Sequence, residues 1–222
     1  SEVIQRTRKA KMLSQEKLSE GICTPETLSR AENGRQSLNP RNFHAIMKKL
    51  ESEQDYYNID LDTTDYYLLE KRKRLGMAVF KRDWEKALKL VEELKSSLEM
   101  DKRLNRDTIK MEEDCILFHM QRISAEEYKK SCELLLNCTN EEWKETKFWK
   151  QFLSNKTILL LIRIAVACRR MGNKEDAVFI LENVLKQLRS SKVMMEDRIR
   201  SVMVVLGNLS TYYGECGNYE NC

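Results

Sequence analysis

Apolar residues recur along most of this chain at spacings of three and four residues, which is the pattern of amphipathic helices. Four short segments of this kind fill the first fifty residues, at 4–11, 15–20, 25–33 and 40–50. Strong helix formers dominate the remainder, and the whole chain has only 7 Gly and 2 Pro for turns. The pattern therefore predicts an all-α fold.

Turn and cap residues mark the borders of the first helices. Ser14 is predicted to cap the second helix, and Thr24 to cap a third helix that has Pro25 at its first position. Gly21 and Gly34 are placed to end the second and third helices. Two short helices joined by a tight glycine turn predict a helix-turn-helix module.

The rest of the chain repeats itself. A small residue recurs in similar contexts at intervals of 44, 46 and 45 residues, at Ala87, Ser131, Ala177 and Cys222. Such a period predicts stacked helical hairpins, and residues 164–177 form the clearest unit, with Gly172 at the turn. We predict a helix-turn-helix domain at 1–50, a polar linker at 51–64 and a repeat domain at 65–222. We also expect the natural chain to continue beyond Cys222, because the last hairpin lacks its second helix.

Charge separates the two predicted domains. Residues 1–50 contain 10 Lys and Arg against 5 Asp and Glu, whereas the other 172 residues contain 29 against 30. A small basic module on a neutral helical body fits polyanion binding, although a merely solvated basic face fits the same numbers.

Composition also limits the function classes. The 7 cysteines include no CxxC pair and there are only 2 histidines, so neither a zinc site nor a disulfide framework is predicted, and free buried thiols in a reducing cytoplasm are expected. The longest apolar run, 158–168, is too short for a membrane span. Without a phosphate-binding loop or a nucleophile–histidine spacing, no enzyme and no cofactor are predicted, and His119 is expected in the core.

The most specific resemblance is carried by residues 13–34, which read LSQEKLSEGICTPETLSRAENG. This string resembles the helix-turn-helix of phage-repressor or XRE type. Its turn is one residue shorter, as in the peptide-pheromone-responsive regulators of the PlcR, Rgg and PrgX group, known as RRNPP. The resemblance implies a cytoplasmic transcription regulator, a homodimer that binds a double-stranded DNA operator. It further implies a right-handed tetratricopeptide-like α-solenoid that senses a short signalling peptide.

The resemblance also assigns roles to residues. Leu28 and Ala31 face the core of the head, and an ion pair between Arg8 and Glu32 ties the first helix to the recognition helix. The expected DNA contacts are Gln15, Thr24, Pro25, Glu26, Thr27, Ser29, Arg30, Arg35 and Arg41. The tetratricopeptide register places on or near the peptide groove Arg163, Arg170, Asn208, Thr211 and Glu215.

Two alternatives remain open at this point. The first alternative to a peptide-sensing regulator is an interaction scaffold whose head has lost DNA affinity. The second is a regulator whose repeats bind no peptide. Retention on one operator at physiological salt separates a regulator from a scaffold. The residues do not distinguish the two kinds of regulator.

Overall fold

The protein is described by a computed structural model at residues 2–50, 61–138, 141–150, 153–190 and 196–215. In these ranges all regular elements are helical, which confirms the predicted fold class. The α-helices are α1 (Glu2–Ala10), α2 (Gln15–Ser19), α3 (Pro25–Glu32), α4 (Pro40–Lys49), α5 (Tyr66–Phe80), α6 (Trp84–Ser97), α7 (Arg103–His119), α8 (Ala125–Leu135), α9 (Asn155–Arg170), α10 (Lys174–Ser190) and α11 (Glu196–Glu215). Two short 3-10 turns, Glu142–Lys144 and Phe148–Lys150, precede α9.

The predicted caps set the boundaries of the head helices. The Ser14 hydroxyl accepts a hydrogen bond from the Lys17 amide at 3.1 Å, and the Thr24 hydroxyl accepts one from the Thr27 amide at 3.2 Å. Gly21 and Gly34 have φ of +74° and +71°. Residues other than glycine adopt this left-handed backbone conformation only at a cost in free energy. These local signals explain why the observed ends lie within two residues of the predicted ones.

One apolar core joins the four helices of the head. Leu28 and Ala31 of α3 are buried, as predicted, so the opposite face of α3 is turned outward. The core also contains, fully buried, Ile4, Leu18, Ile46, Met47 and Leu50.

Three helical hairpins follow, which confirms the predicted repeat. In the first two, α5 packs on α6 and α7 packs on α8, and in the third α9 is followed by α10 across the turn at Gly172. In each hairpin the second residue after the first helix lies in the left-handed region: Arg82 at φ +58°, Gln121 at +59° and Gly172 at +87°. This conformation satisfies the last carbonyl groups of the helix and reverses the chain.

The small repeat residues lie where helices approach each other. Ala87 and Ala177 are fully buried, and the Ser131 hydroxyl donates a hydrogen bond to the carboxylate of Asp114. The fourth repeat position, Cys222, lies outside the described residues.

Part of the predicted linker belongs to the packed body. Leu61 is buried in the core of the first two hairpins, and the Asp62 amide donates to the Asn105 side chain at 2.7 Å. Residues 51–60 lie outside the described ranges.

The chain divides into two compact units, and the predicted domain boundaries stay a prediction. Of the described residues, the first unit contains 2–50, 141–150, 153–159, 180–190 and 196–215, and the second contains 61–138 and 160–179. The helix-turn-helix head therefore shares its unit with the C-terminal part of α10 and with α11.

Cysteine placement agrees with the prediction of free thiols for the residues that are described. Cys115, Cys132, Cys138 and Cys168 are buried and Cys23 is half-buried, and none of these five described cysteines forms a disulfide. None of the described helices has the length and hydropathy that crossing a membrane requires.

Candidate nucleic-acid interface and sensory region

The outward face of α3 presents polar side chains. Glu26 and Arg30 are exposed, and Ser29 is half-buried. Pro25 and Thr27 are half-buried at the start of the helix.

Thr24 is exposed, but its hydroxyl is engaged with both the Thr27 amide and the Thr27 hydroxyl, the two oxygens being 3.0 Å apart. Two further arginines lie outside α3, and both are exposed. Arg35 is in the loop that follows α3, and Arg41 is in the first turn of α4.

A buried ion pair positions this helix. Arg8 Nε lies 2.6 Å from Glu32 Oε1 and Arg8 Nη2 lies 2.8 Å from Glu32 Oε2, so the contact is bidentate and confirms the predicted pair. Arg8 Nη1 also donates to the Leu13 carbonyl oxygen at 2.8 Å. Arg8 thereby fixes the last turn of α3 to α1 and to the turn between α1 and α2, where Leu13 lies.

Gln15 joins the same carboxylate, a contact that sequence reasoning did not identify. Its Nε2 donates to Glu32 Oε2 at 2.6 Å. Burial disfavours a charge on Glu32, but the hydrogen bonds from Arg8 and Gln15 outweigh burial and lower the pKa of Glu32. The Gln15 side chain is thus held in one orientation at the edge of the outward face of α3.

Lys49 closes the end of α2, which the sequence pattern also did not predict. Its Nζ donates to the carbonyl oxygens of Lys17 at 2.7 Å and Glu20 at 3.1 Å. A cation at these carbonyls complements the negative end of the helix dipole. The contact ties α4 to the helix that precedes the recognition helix.

Within the first compact unit the head touches the body through a polar chain. Arg6 Nη1 on α1 donates to Gln187 Oε1 on α10 at 2.8 Å. Gln187 Nε2 donates in turn to the Trp149 carbonyl oxygen, and the Trp149 indole donates to the Trp143 carbonyl oxygen at 2.6 Å. This chain connects α1 to the 3-10 segment before α9.

Arg163 does not lie on an open groove surface, where the register placed it. Only 8% of the residue is exposed, its Nη2 lies 3.0 Å from Glu112 Oε2, and its Nη1 donates to the Met111 carbonyl oxygen at 2.5 Å. The other oxygen of Glu112 accepts from Arg72 Nη2 at 3.0 Å. The geometry gives Arg163 a structural role, and its contact with a peptide stays a prediction.

The other predicted peptide contacts fall in both units. Arg170, in the second unit, is exposed at the end of α9. In the first unit the Asn208 amide donates to the Val204 carbonyl oxygen at 2.8 Å, and the Thr211 hydroxyl donates to the Gly207 carbonyl oxygen at 2.9 Å. Glu215, at the end of α11, is exposed.

His119 departs from the expectation of a core histidine. It is exposed, and its imidazole stacks on the Trp84 indole with centroids 4.6 Å and planes 4° apart. Partial burial and the positive charges of Arg163, Arg82 and Arg170 lower the pKa of His119. The prediction of a buried His119 was wrong because this residue is the last of α7, next to the turn, where the side chain reaches solvent.

Comparison with known proteins places the head in a family. Residues 4–54 match the helix-turn-helix family HTH_3, so the chain carries a helix-turn-helix domain of the XRE type at its N-terminus. A comparison with curated proteins finds no match to the chain.

Solved structures extend the likeness beyond the head. Bacillus thuringiensis PlcR, in complex with the peptide PapR7 and DNA, superposes with a TM-score of 0.57 at 18% identity, over 99% of this chain and 74% of PlcR. The two share a fold. ComR from S. thermophilus, with DNA and its signalling peptide ComS, has a TM-score of 0.41 at 16% identity over 98% of this chain and 87% of ComR. The SHP pheromone receptor Rgg2 of Streptococcus dysgalactiae has a TM-score of 0.29 at 15% identity over 99% of this chain and 95% of Rgg2.

Proposed function

We propose that the protein is a sequence-specific, DNA-binding transcription regulator that performs no catalytic step. The observation that carries this proposal is the helix-turn-helix match at residues 4–54, on a head whose α3 turns polar side chains outward. Helices of this kind enter the major groove and contact base edges with residues near their N-terminus. The excess positive charge of residues 1–50 favours approach to the phosphate backbone.

In this proposal the outward residues of α3 divide into two groups. Ser29 and Arg30 lie in the body of the helix and contact base edges, together with Glu26 and Thr27. Thr24 and Pro25 bring the helix N-terminus to the backbone, and Gln15, Arg35 and Arg41 contact phosphates. The fixed orientation of Gln15 on Glu32 supports this role, because it lowers the entropy lost on binding.

Selection from random-sequence duplexes with the purified protein tests the proposal and supplies an operator. The double variant Ser29→Ala/Arg30→Ala is expected to lose preference for that operator, since each lost base contact costs about 1–3 kcal/mol. Its helical circular dichroism should not change, because neither residue belongs to the core of the head.

Lys48→Ala is the matched control, since it also removes one positive charge from the head, at an exposed position of α4. It should weaken binding to all duplexes similarly and keep the preference. Full operator selectivity in the double variant would exclude α3 as the reading element, and failure to select any sequence would favour the scaffold alternative.

We further propose that the repeats sense a short signalling peptide and that the protein acts as a cytoplasmic homodimer. The shared fold with PlcR, which was solved with a peptide and DNA, supports peptide sensing. Arg170, Asn208, Thr211 and Glu215 are the proposed peptide contacts, with Arg163 acting by holding its helix in place. Dimerisation follows from the few base pairs that one head reads, and the mass of the operator complex in light scattering should correspond to two chains.

A further inference from the structure

One buried carboxylate in the second compact unit joins α5, α7 and α9, the first helices of three successive hairpins. Glu112 of α7 binds Arg72 of α5 on one side and Arg163 of α9 on the other, each at 3.0 Å. Glu112 and Arg163 each lie seven residues before the end of their helix, and Arg72 lies eight before the end of α5. Because the first helices of successive hairpins run in the same direction, their C-terminal ends lie along one edge of this unit.

Cationic side chains occupy that edge. His119 is the last residue of α7 and Arg170 the last of α9, while Arg82 lies in the turn that follows α5. Seven residues are nearly two helical turns, so His119 shares a helix face with Glu112, and Arg170 shares one with Arg163. The contacts of Glu112 therefore place His119 and Arg170 at the same end of neighbouring helices. Arg82 lies two residues before Trp84, whose indole stacks on the imidazole of His119.

Arg82 and Arg170 are not neutralised. Both are exposed, and neither forms a hydrogen bond or an ion pair with any side chain in the part of the chain that the structure describes. Arg163 differs, because Glu112 compensates its charge. Partial burial and the positive charges of Arg163, Arg82 and Arg170 lower the pKa of His119. The edge is therefore a local excess of positive charge.

An aromatic surface lies next to these cations. The imidazole of His119 is stacked flat on Trp84, the first residue of α6. Phe80, two residues before Arg82, leaves 80% of its surface exposed. Aromatic side chains and guanidinium groups that share one edge are typical of a surface that binds an amphipathic ligand.

We propose that Arg82, His119 and Arg170 form a receptor for an oxyanion carried by a small ligand, and that Trp84 and Phe80 contact the apolar part of that ligand. The planar guanidinium group matches the geometry of a carboxylate or a phosphate. If the repeats sense a short peptide, a step that rests on the function proposed above, the oxyanion is a carboxylate of that peptide.

Histidine NMR of the full chain tests the receptor directly. The sequence has only two histidines, so a His44→Gln variant assigns the imidazole signals of His119. The probes are N-acetylphenylalanine, its uncharged amide and inorganic phosphate. N-acetylphenylalanine is expected to shift the His119 signals saturably and to raise its pKa, since a bound anion stabilises the imidazolium. The amide should produce no saturable shift.

Two variants identify the anion contacts. Arg82→Asn removes a charge and keeps a residue that tolerates the left-handed backbone, and Arg170→Gln removes a charge from a helix end. Each is expected to weaken N-acetylphenylalanine binding about 10-fold or more. Lys81→Ala removes a charge from the same turn as Arg82, but this lysine is not among the groups that act on His119, so binding should be kept.

The outcomes separate the receptor from the proposed function. A saturable response to phosphate alone would support the receptor and make phosphate the ligand. Equal responses to N-acetylphenylalanine and its amide, or unchanged affinity in both arginine variants, would overturn it. If no peptide alters operator binding while His119 still responds to N-acetylphenylalanine, peptide sensing fails and the oxyanion receptor stands.

Discussion

At the scale of single residues, Glu112 joins three helices through Arg72 and Arg163 while it is almost fully buried. Burial disfavours its charge, but the positive charges and hydrogen bonds of Arg163 and Arg72 outweigh burial and lower its pKa. Removing one member of such a group leaves the others buried without compensation, which costs more than the original contacts contributed.

Glu112→Gln is therefore expected to lower the free energy of unfolding by about 3–5 kcal/mol, measured by urea denaturation at pH 7. Glu70→Gln is the matched control, because it breaks an ion pair with Lys73 whose side chain is 71% exposed. The control should unfold nearly as the parent does, since exposed pairs are screened by water. Similar stability of the two variants would show that the buried group contributes little.

The same carboxylate gives stability a dependence on pH. A carboxyl whose pKa is lower in the folded than in the unfolded chain binds fewer protons when folded, so its contribution is complete above the unfolded value of about 4.3. The contribution is lost as the pH falls from there through the folded pKa. Between pH 7 and 5 the parent should change little from this source, and below about 4.3 the difference between the parent and Glu112→Gln should narrow. A constant difference down to pH 3 would contradict this assignment.

At the scale of elements, the hairpins depend on turns in the left-handed region. Gly172 has φ of +87° and no atom within 4 Å of the position that a Cβ would take, so substitution there brings backbone strain without a clash. Gly207, inside α11, also has open space around it but ordinary helical backbone. The two glycines form a natural pair for comparing backbone effects.

Gly172→Ala is expected to destabilise the protein by about 1–2 kcal/mol through left-handed strain. Gly207→Ala is expected to stabilise it by about 0.5–1 kcal/mol, because alanine loses less backbone entropy than glycine in a helix. Thermal unfolding of both variants beside the parent checks the opposite signs. A stabilised Gly172→Ala variant would mean that the turn relaxes out of the left-handed region.

The helix boundaries of this chain could be predicted where the residues that determine them are close in sequence. The caps Ser14 and Thr24 and the glycine turns act within four residues, so the sequence predicts the head helices almost to the residue. The position of Arg163 depends instead on Glu112, which is 51 residues away in the sequence. Arg163 interrupts the apolar run 158–168, but this local pattern does not identify Glu112 as its partner.

The candidate site follows the same division. The outward face of α3 was predictable, because helical periodicity fixes which side faces the core. The hydrogen bond from Gln15 to Glu32, the cap that Lys49 places on α2 and the stack of His119 on Trp84 all join elements that are distant in sequence. Spacing within one element carries no information about such contacts.

At the scale of the whole molecule, the head and the last helices belong to one compact unit. Arg6 of the head donates a hydrogen bond to Gln187 of α10, and Gln187 donates in turn to the Trp149 carbonyl oxygen. Arg6 belongs to α1, the helix that the Arg8 and Glu32 pair fixes to the recognition helix. A shift of α10 therefore has a short polar route to α3.

A peptide alters operator affinity only if it binds one arrangement of the protein better than another, and the coupling must be equal in both directions. Operator affinity measured with and without a short peptide encoded beside the gene is expected to change about 5- to 150-fold, and peptide affinity should change by the same factor when operator is added. Gln187→Ala removes the side chain that joins Arg6 to Trp149, so it should bring both ratios closer to one while operator selectivity is kept. Lys186→Ala, an exposed neighbour on α10, should keep the parent ratios. Unequal ratios in the parent would mean that the peptide and the operator are not linked at equilibrium, and an unchanged ratio in Gln187→Ala would place the coupling outside this contact.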